Sequence, residues 1–130
     1  MKNENPERSF ESLYRRLKSH EFSKTNALNS LYDFIERSGR ESLRIDALNL
    51  ISELKIKNEK VFSLLEKCLI SDESSKVRKL AARSLILDYP EKCKKVILWA
   101  VENDSSPSVL KTIEDLSCGV DGHKLEFLDK

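Results

Sequence analysis

The stretches LRIDALNLI (43–51) and VRKLAARSL (77–85) superpose residue on residue at a spacing of 34. Leu43 falls on Val77, Arg44 on Arg78, Ala47 on Ala81 and Ile51 on Leu85. A second pair of stretches repeats at 32: Val61 on Cys93, Leu64 on Val96, Leu65 on Ile97, Cys68 on Ala100 and Leu69 on Val101. The shift of 32 also lays Asp72 on Asp104, Ser74 on Ser106 and Val77 on Val109. The two shifts differ because the connection before 58–71 is two residues longer than the one around Tyr89 and Pro90. Apolar residues in all these stretches recur with the 3.6-residue period of an amphipathic helix. The repeating unit is therefore a helix pair, and a self-similar period of this length marks an array of stacked units.

Working outward, the same period predicts seven helices. The first, 7–19, carries Phe10, Leu13, Tyr14 and Leu17, and the second, 23–37, carries Ala27, Leu28, Leu31, Phe34 and Ile35. Then come 41–54, 58–71, 75–88, 91–103 (Cys93, Val96, Ile97, Ala100, Val101) and 107–117 (Val109, Leu110, Ile113, Leu116). Ser38-Gly39 ends the second helix, with Gly39 suited to a left-handed cap. Ser74 is placed to cap the fifth by accepting a free backbone N–H. Pro90 and Pro107 stand where a helix start needs no donor. Short connections make consecutive helices antiparallel neighbours. The expected fold is all-α, an α-α superhelix of about seven helices in antiparallel pairs. Residues 1–117 form one repeat domain in this reading: a terminal pair at 7–37, repeats at 41–71 and 75–103, and a last helix at 107–117. Ala47 and Ala81 are expected at close helix contacts.

The pattern D-x-x-x-x-V-R-x-x-A-x-x-x-L, standing here as Asp72, Val77, Arg78, Ala81 and Leu85, resembles the short prokaryotic-type HEAT repeats. The resemblance covers about 41–117. It implies first helices on a convex side and second helices on a concave one, with an Asp–Arg ladder between adjacent repeats. Only Asp72 and Arg78 carry both ladder residues: Ser38 stands for the Asp one repeat earlier and Leu110 for the Arg one repeat later. The tail, 118–130, is expected to break at its glycines and to lay Leu125, Phe127 and Leu128 over the open end.

Composition narrows the function. The 130 residues carry 23 basic and 22 acidic side chains, a net charge of +1, so no global field draws the chain to nucleic acid or an anionic membrane. Leu, Ile, Val and Phe number 38, enough for a packed core. No apolar run approaches a membrane span, and MKNENPERSF has no apolar signal region. Cys68, Cys93 and Cys118, with no C-x-x-C pair, suit reduced thiols in the cytoplasm.

No catalytic constellation emerges. His20 and His123 are far apart, Cys118 and His123 lack a second pair to complete a zinc site, and no phosphate-binding or nucleophile-elbow motif occurs. The reading is a non-enzyme with no cofactor and no metal. At 100° per residue, Trp99 falls opposite the apolar stripe of its helix, beside Lys92 and Lys95. Thirty-two residues earlier, Lys67 and Lys60 hold the places of Trp99 and Lys92. An indole among ammonium groups suits an acidic protein partner. These five residues are the candidate partner-binding site, on the concave face that the resemblance implies. The competing view packs Trp99 on a neighbouring helix or under the tail. Two further functions stand beside the protein-binding scaffold: nucleic-acid binding along the same face, and a subunit of a HEAT-like lyase-type enzyme.

Overall fold

The structure, a computed structural model, describes Arg15, residues 24–37 and residues 39–119. The chain is all-helical there, with no strand among the described residues. Six helices follow in order: α1 (Lys24–Arg37), α2 (Glu41–Glu53), α3 (Glu59–Ser71), α4 (Ser75–Asp88), α5 (Lys94–Asn103) and α6 (Pro107–Gly119). Apart from Arg15, which is helical, the helix expected over 7–19 lies outside the described residues, as do both histidines and residues 120–130. The chain divides into two compact units, Met1–Ile56 and Lys57–Lys130.

In the first unit α1 packs against α2. Leu28, Leu31 and Ile35 of α1 are buried, as are Leu43, Ala47, Leu48, Leu50 and Ile51 of α2. Each fully buried leucine contributes roughly 1.5–3 kcal/mol relative to an exposed one. The left-handed cap does not fall at Gly39, whose φ lies outside the left-handed region. It falls at Lys55, with φ 56°. There the Lys55 N–H donates to the Ser52 carbonyl at 3.1 Å and the Ile56 N–H to the Ile51 carbonyl at 3.3 Å. This is the six-to-one and five-to-two bonding of a Schellman end, completed by the burial of both Ile51 and Ile56. The extra residues of this connection are thus spent on satisfying the end of α2.

In the second unit alternate helices lie side by side: α3 packs on α4 and α5, and α6 packs on α4 and α5. Positions 32 apart take the same burial almost throughout. Val61 and Cys93, Leu64 and Val96, Leu65 and Ile97, Cys68 and Ala100, and Val77 and Val109 are all buried. Ala47 and Ala81 are both fully buried. Val101 departs from its expected place in the stripe: it is 38% exposed, whereas Leu69 is 0% exposed. The reason is positional, since α3 has α5 beside it and no described helix follows α5 in the same layer.

The turns into α4 and α6 repeat hydrogen bond by hydrogen bond. Asp72 Oδ1 accepts from the Ser74 N–H at 2.8 Å, and Asp104 Oδ1 from the Ser106 N–H at 2.9 Å. Ser74 Oγ then accepts from the Val77 N–H at 3.2 Å, and Ser106 Oγ from the Val109 N–H at 3.4 Å. Asn58 Oδ1 caps α3 by accepting from the Val61 N–H at 2.9 Å. Pro90 does not open a helix as its sequence position predicts. Residues 90–93 form a turn, closed by the Cys93 N–H on the Tyr89 carbonyl at 2.9 Å, and α5 begins only at Lys94.

Lys55 is a non-glycine residue in a conformation that costs roughly 1–2 kcal/mol for a side chain with a Cβ. Lys55→Gly should raise stability by about 0.5–1 kcal/mol, the remainder going to glycine's larger unfolded-state entropy. Urea denaturation checks this; a destabilised variant would mean that the Lys55 side chain holds the turn.

Candidate functional site

Residues 57–119 place all the sequence-derived candidates on two neighbouring helices and the turn between α4 and α5. Lys60 and Lys67 lie on α3, Lys92 in the turn, and Lys95 and Trp99 on α5, each of them exposed. Trp99, the single tryptophan, is 38% exposed, and Ile70 on α3 is 46% exposed. Trp99 is therefore not covered by a neighbouring helix in the way that Val96 and Ile97 of α5 are.

The four lysines are not equivalent. The Lys92 ammonium is paired with the Glu59 carboxylate and sits 4.6 Å from the centre of the Phe62 ring. A cation held by a carboxylate on one side and an aromatic face on the other is spent within the fold. Lys92 thus joins the turn to the start of α3 and is withdrawn from the set of steering charges around Trp99. Lys95 is exposed on the Trp99 flank of α5.

The same turn brings Tyr89 onto α3. Its ring lies 5.3 Å from that of Phe62, tilted by 55°. The Asn58 N–H donates to Tyr89 Oη at 3.2 Å, and the Tyr89 hydroxyl donates to the Asn58 carbonyl at 3.4 Å. Burial raises the phenol's pKa above its ordinary value, partly offset by the Asn58 hydrogen bond. Burial likewise pushes the Cys93 thiol up from 9.0 to about 11, so Cys93 is a protonated, packed thiol whose Sγ lies 3.6 Å from the Pro90 carbonyl. That removes it as a nucleophile near neutral pH.

A guanidinium clamp lies at the turns into α4 and α6. Arg78 Nε donates to Asp104 Oδ2 at 2.8 Å and Nη2 to Asp104 Oδ1 at 3.3 Å, while Nη1 donates to the Asp72 carbonyl at 2.9 Å. The Asp104 side chain is only 3% exposed and that of Arg78 18%. One arginine thereby ties together the turns that open α4 and α6. The periodicity singled out Arg78 and Asp72 but not Arg78 with Asp104, whose separation of 26 matches neither repeat shift. Glu59, Phe62 and Tyr89 were likewise not singled out by the sequence.

Among the described residues no group of three His, Cys, Asp or Glu side chains could hold a metal ion. No described helix is long and apolar enough to cross a membrane. No family model matches the chain, and neither a curated protein nor a solved structure matches it.

Removing one partner of a largely buried, bidentate pair leaves an uncompensated charge. Arg78→Ala or Asp104→Ala should therefore cost about 3 kcal/mol in chemical denaturation, and Arg78→Lys should recover only part of it because an ammonium lacks the fork. Losses under about 0.5 kcal/mol, the scale of an ordinary surface change, would deny the clamp its structural weight.

Cys93 gives a pH signature. Its folded pKa lies above its ordinary one, so the stability tied to the neutral thiol is complete below pH 9 and is lost as pH rises through about 11. Urea midpoints measured from pH 8 to 11 should fall less steeply for Cys93→Val than for the parent chain. Parallel curves would contradict the burial of the thiol.

Proposed function

We propose that the chain is a non-catalytic, HEAT-like interaction module that binds a protein partner through the face shared by α3 and α5. The observation that carries this reading is the exposed edge of Trp99, with exposed Ile70 on the adjacent helix. A monomer that leaves large apolar side chains exposed on neighbouring helices offers an anchor for association. Lys95 and Lys67 supply positive charge on the two helices. The side-by-side packing of α3 with α5 and of α4 with α6 supports the two-layer, superhelical arrangement. In that arrangement the α3/α5 layer is the concave one. Buried free thiols at Cys68 and Cys93 support a reducing, cytoplasmic setting.

The nucleic-acid reading is the weaker one. It needs a continuous track of cations, and Lys92 is already paired with Glu59. Phosphate contacts would also make affinity fall steeply with salt.

The test is to capture partners on the immobilised chain, purify the captured protein and measure its binding directly. Trp99→Ala should weaken that binding at least tenfold, about 1.4 kcal/mol, with an unchanged denaturation midpoint. Arg83→Ala, on the exposed side of α4, should leave it unchanged. Equal binding by Trp99→Ala would remove this face from the reading. A steep loss with salt and competition by nucleic acid would replace the protein partner.

A further inference from the structure

α4 turns Val77, Ala81 and Leu85 into the core, and α6 buries Val109, Ile113 and Ser117, each 32 residues later. The two helices lie side by side and hold equivalent places, so their outer sides compare position by position. With 3.6 residues per turn, Lys76, Lys79, Leu80, Arg83 and Leu87 fall within one sector of about 100° on α4. That sector holds three cations, two leucines and no acidic side chain. Lys76 and Arg83 are exposed, Lys79 and Leu80 are half-buried, and Leu87 is 45% exposed. The equivalent sector of α6 holds Ser108, Lys111, Thr112, Asp115 and Gly119. Its one cation is balanced within the helix, Lys111 pairing with Asp115 at 3.5 Å. The fold thus accepts a neutral, polar sector at these positions, and the cations and leucines of α4 are not a demand of the packing.

They also load the helix with repulsion. Lys76 and Lys79 stand three apart, and Lys79 and Arg83 four apart, the spacings at which like charges oppose each other on a helix. A helix side that is only a solvated surface ordinarily mixes the two signs. A partner that brings carboxylates to this ridge relieves the repulsion and covers Leu87 at once. The shape of the patch selects among acidic partners. Its cations span about 10 Å of helix, and Asp115 stands at the place of Arg83 on the adjacent helix, so the positive ridge does not continue onto α6. A nucleic-acid backbone asks for a longer run of cations, and phosphates offer nothing to Leu80 and Leu87. Carboxylates and aliphatic groups on one face of a helix meet both parts of the ridge.

We propose that the outer ridge of α4 is a docking surface for an acidic amphipathic helix of a protein partner, with carboxylates on Lys76, Lys79 and Arg83 and an aliphatic side chain against Leu87. The ridge lies on a different helix from Trp99, and the inference stands whether or not the α3/α5 face binds a partner.

The probe is a labelled synthetic helix with glutamates and leucines on one face at the spacings of these five residues. It is made in both chain directions and followed by fluorescence anisotropy against the full chain. One direction should bind. Lys76→Glu with Arg83→Glu should weaken it about tenfold or more, and Leu87→Ala about threefold. The same peptide with lysines in place of its glutamates should bind the reversed variant and not the parent. Lys57→Glu with Lys94→Glu makes an equal change in net charge at exposed positions elsewhere and should leave binding unchanged. If charge reversal lowers the urea midpoint, Lys76→Gln with Arg83→Gln carries the test. Binding in neither direction overturns the proposal, as does an equal loss in the Lys57 and Lys94 variant. Indifference to Leu87→Ala together with displacement by heparin assigns the ridge to a polyanion and overturns the helical partner. Binding of the chain to phosphatidylserine vesicles, lost on the same charge reversal, assigns it to a membrane surface and overturns it equally.

Discussion

The fork of Arg78 on Asp104 is the constraint around which the described part of the second unit is arranged. The Asp104 carboxylate accepts from the guanidinium and also from the Ser106 N–H. Ser106 in turn caps α6. At its other end Arg78 holds the Asp72 carbonyl, and Asp72 organises the turn whose Ser74 caps α4. Two helix starts are thus fixed through one planar group. A lysine could not do this, because a point charge has no fixed fork with which to orient two turns at once. The alanines that let α4 sit close to its neighbours, Ala81 and Ala82, are fully buried within the same helix, so apolar contact and polar clamp act on one element.

On the α3/α5 side the electrostatics are arranged differently. Glu59, Phe62 and Lys92 form a surface cluster, which Tyr89 extends to Asn58 at the cap of α3. This engages the Lys92 charge close to the turn, while Trp99 and Ile70 stay exposed. The surface is therefore graded: structural ion pairing at one end, exposed indole and aliphatic side chains at the other.

Much of the architecture was legible in the residues because burial has a period and periods survive in sequence. The helix class, the equivalence of Val61 with Cys93 or Ser74 with Ser106, and the burial of Ala47 and Ala81 all follow from spacing alone. What spacing could not convey were contacts whose separation is set by geometry between elements. Arg78 finds Asp104 and not Asp72's carboxylate; Lys92 finds Glu59 in place of Trp99's surroundings. Val101 was misread for a related reason, since a stripe position is buried only if a neighbour exists to bury it. Pro90 and Gly39 carry strong local preferences, yet the turn at 90–93 and the end of α2 show the chain placing its helix start and its left-handed residue elsewhere. Trp99's exposure could be read from angle, but the partition of lysines around it could not.

The aspartate–serine turns have a consequence for how the chain reaches its fold. Each closes through bonds spanning two or three residues, so the loss of chain entropy on forming it is small. The links between elements come at separations of 26 to 33 residues, about one repeat. Nothing in this set requires a residue to wait for one far along the chain. Within residues 57–119 the closure entropy of these links is therefore that of about one repeat, the kind of local connectivity that goes with fast folding.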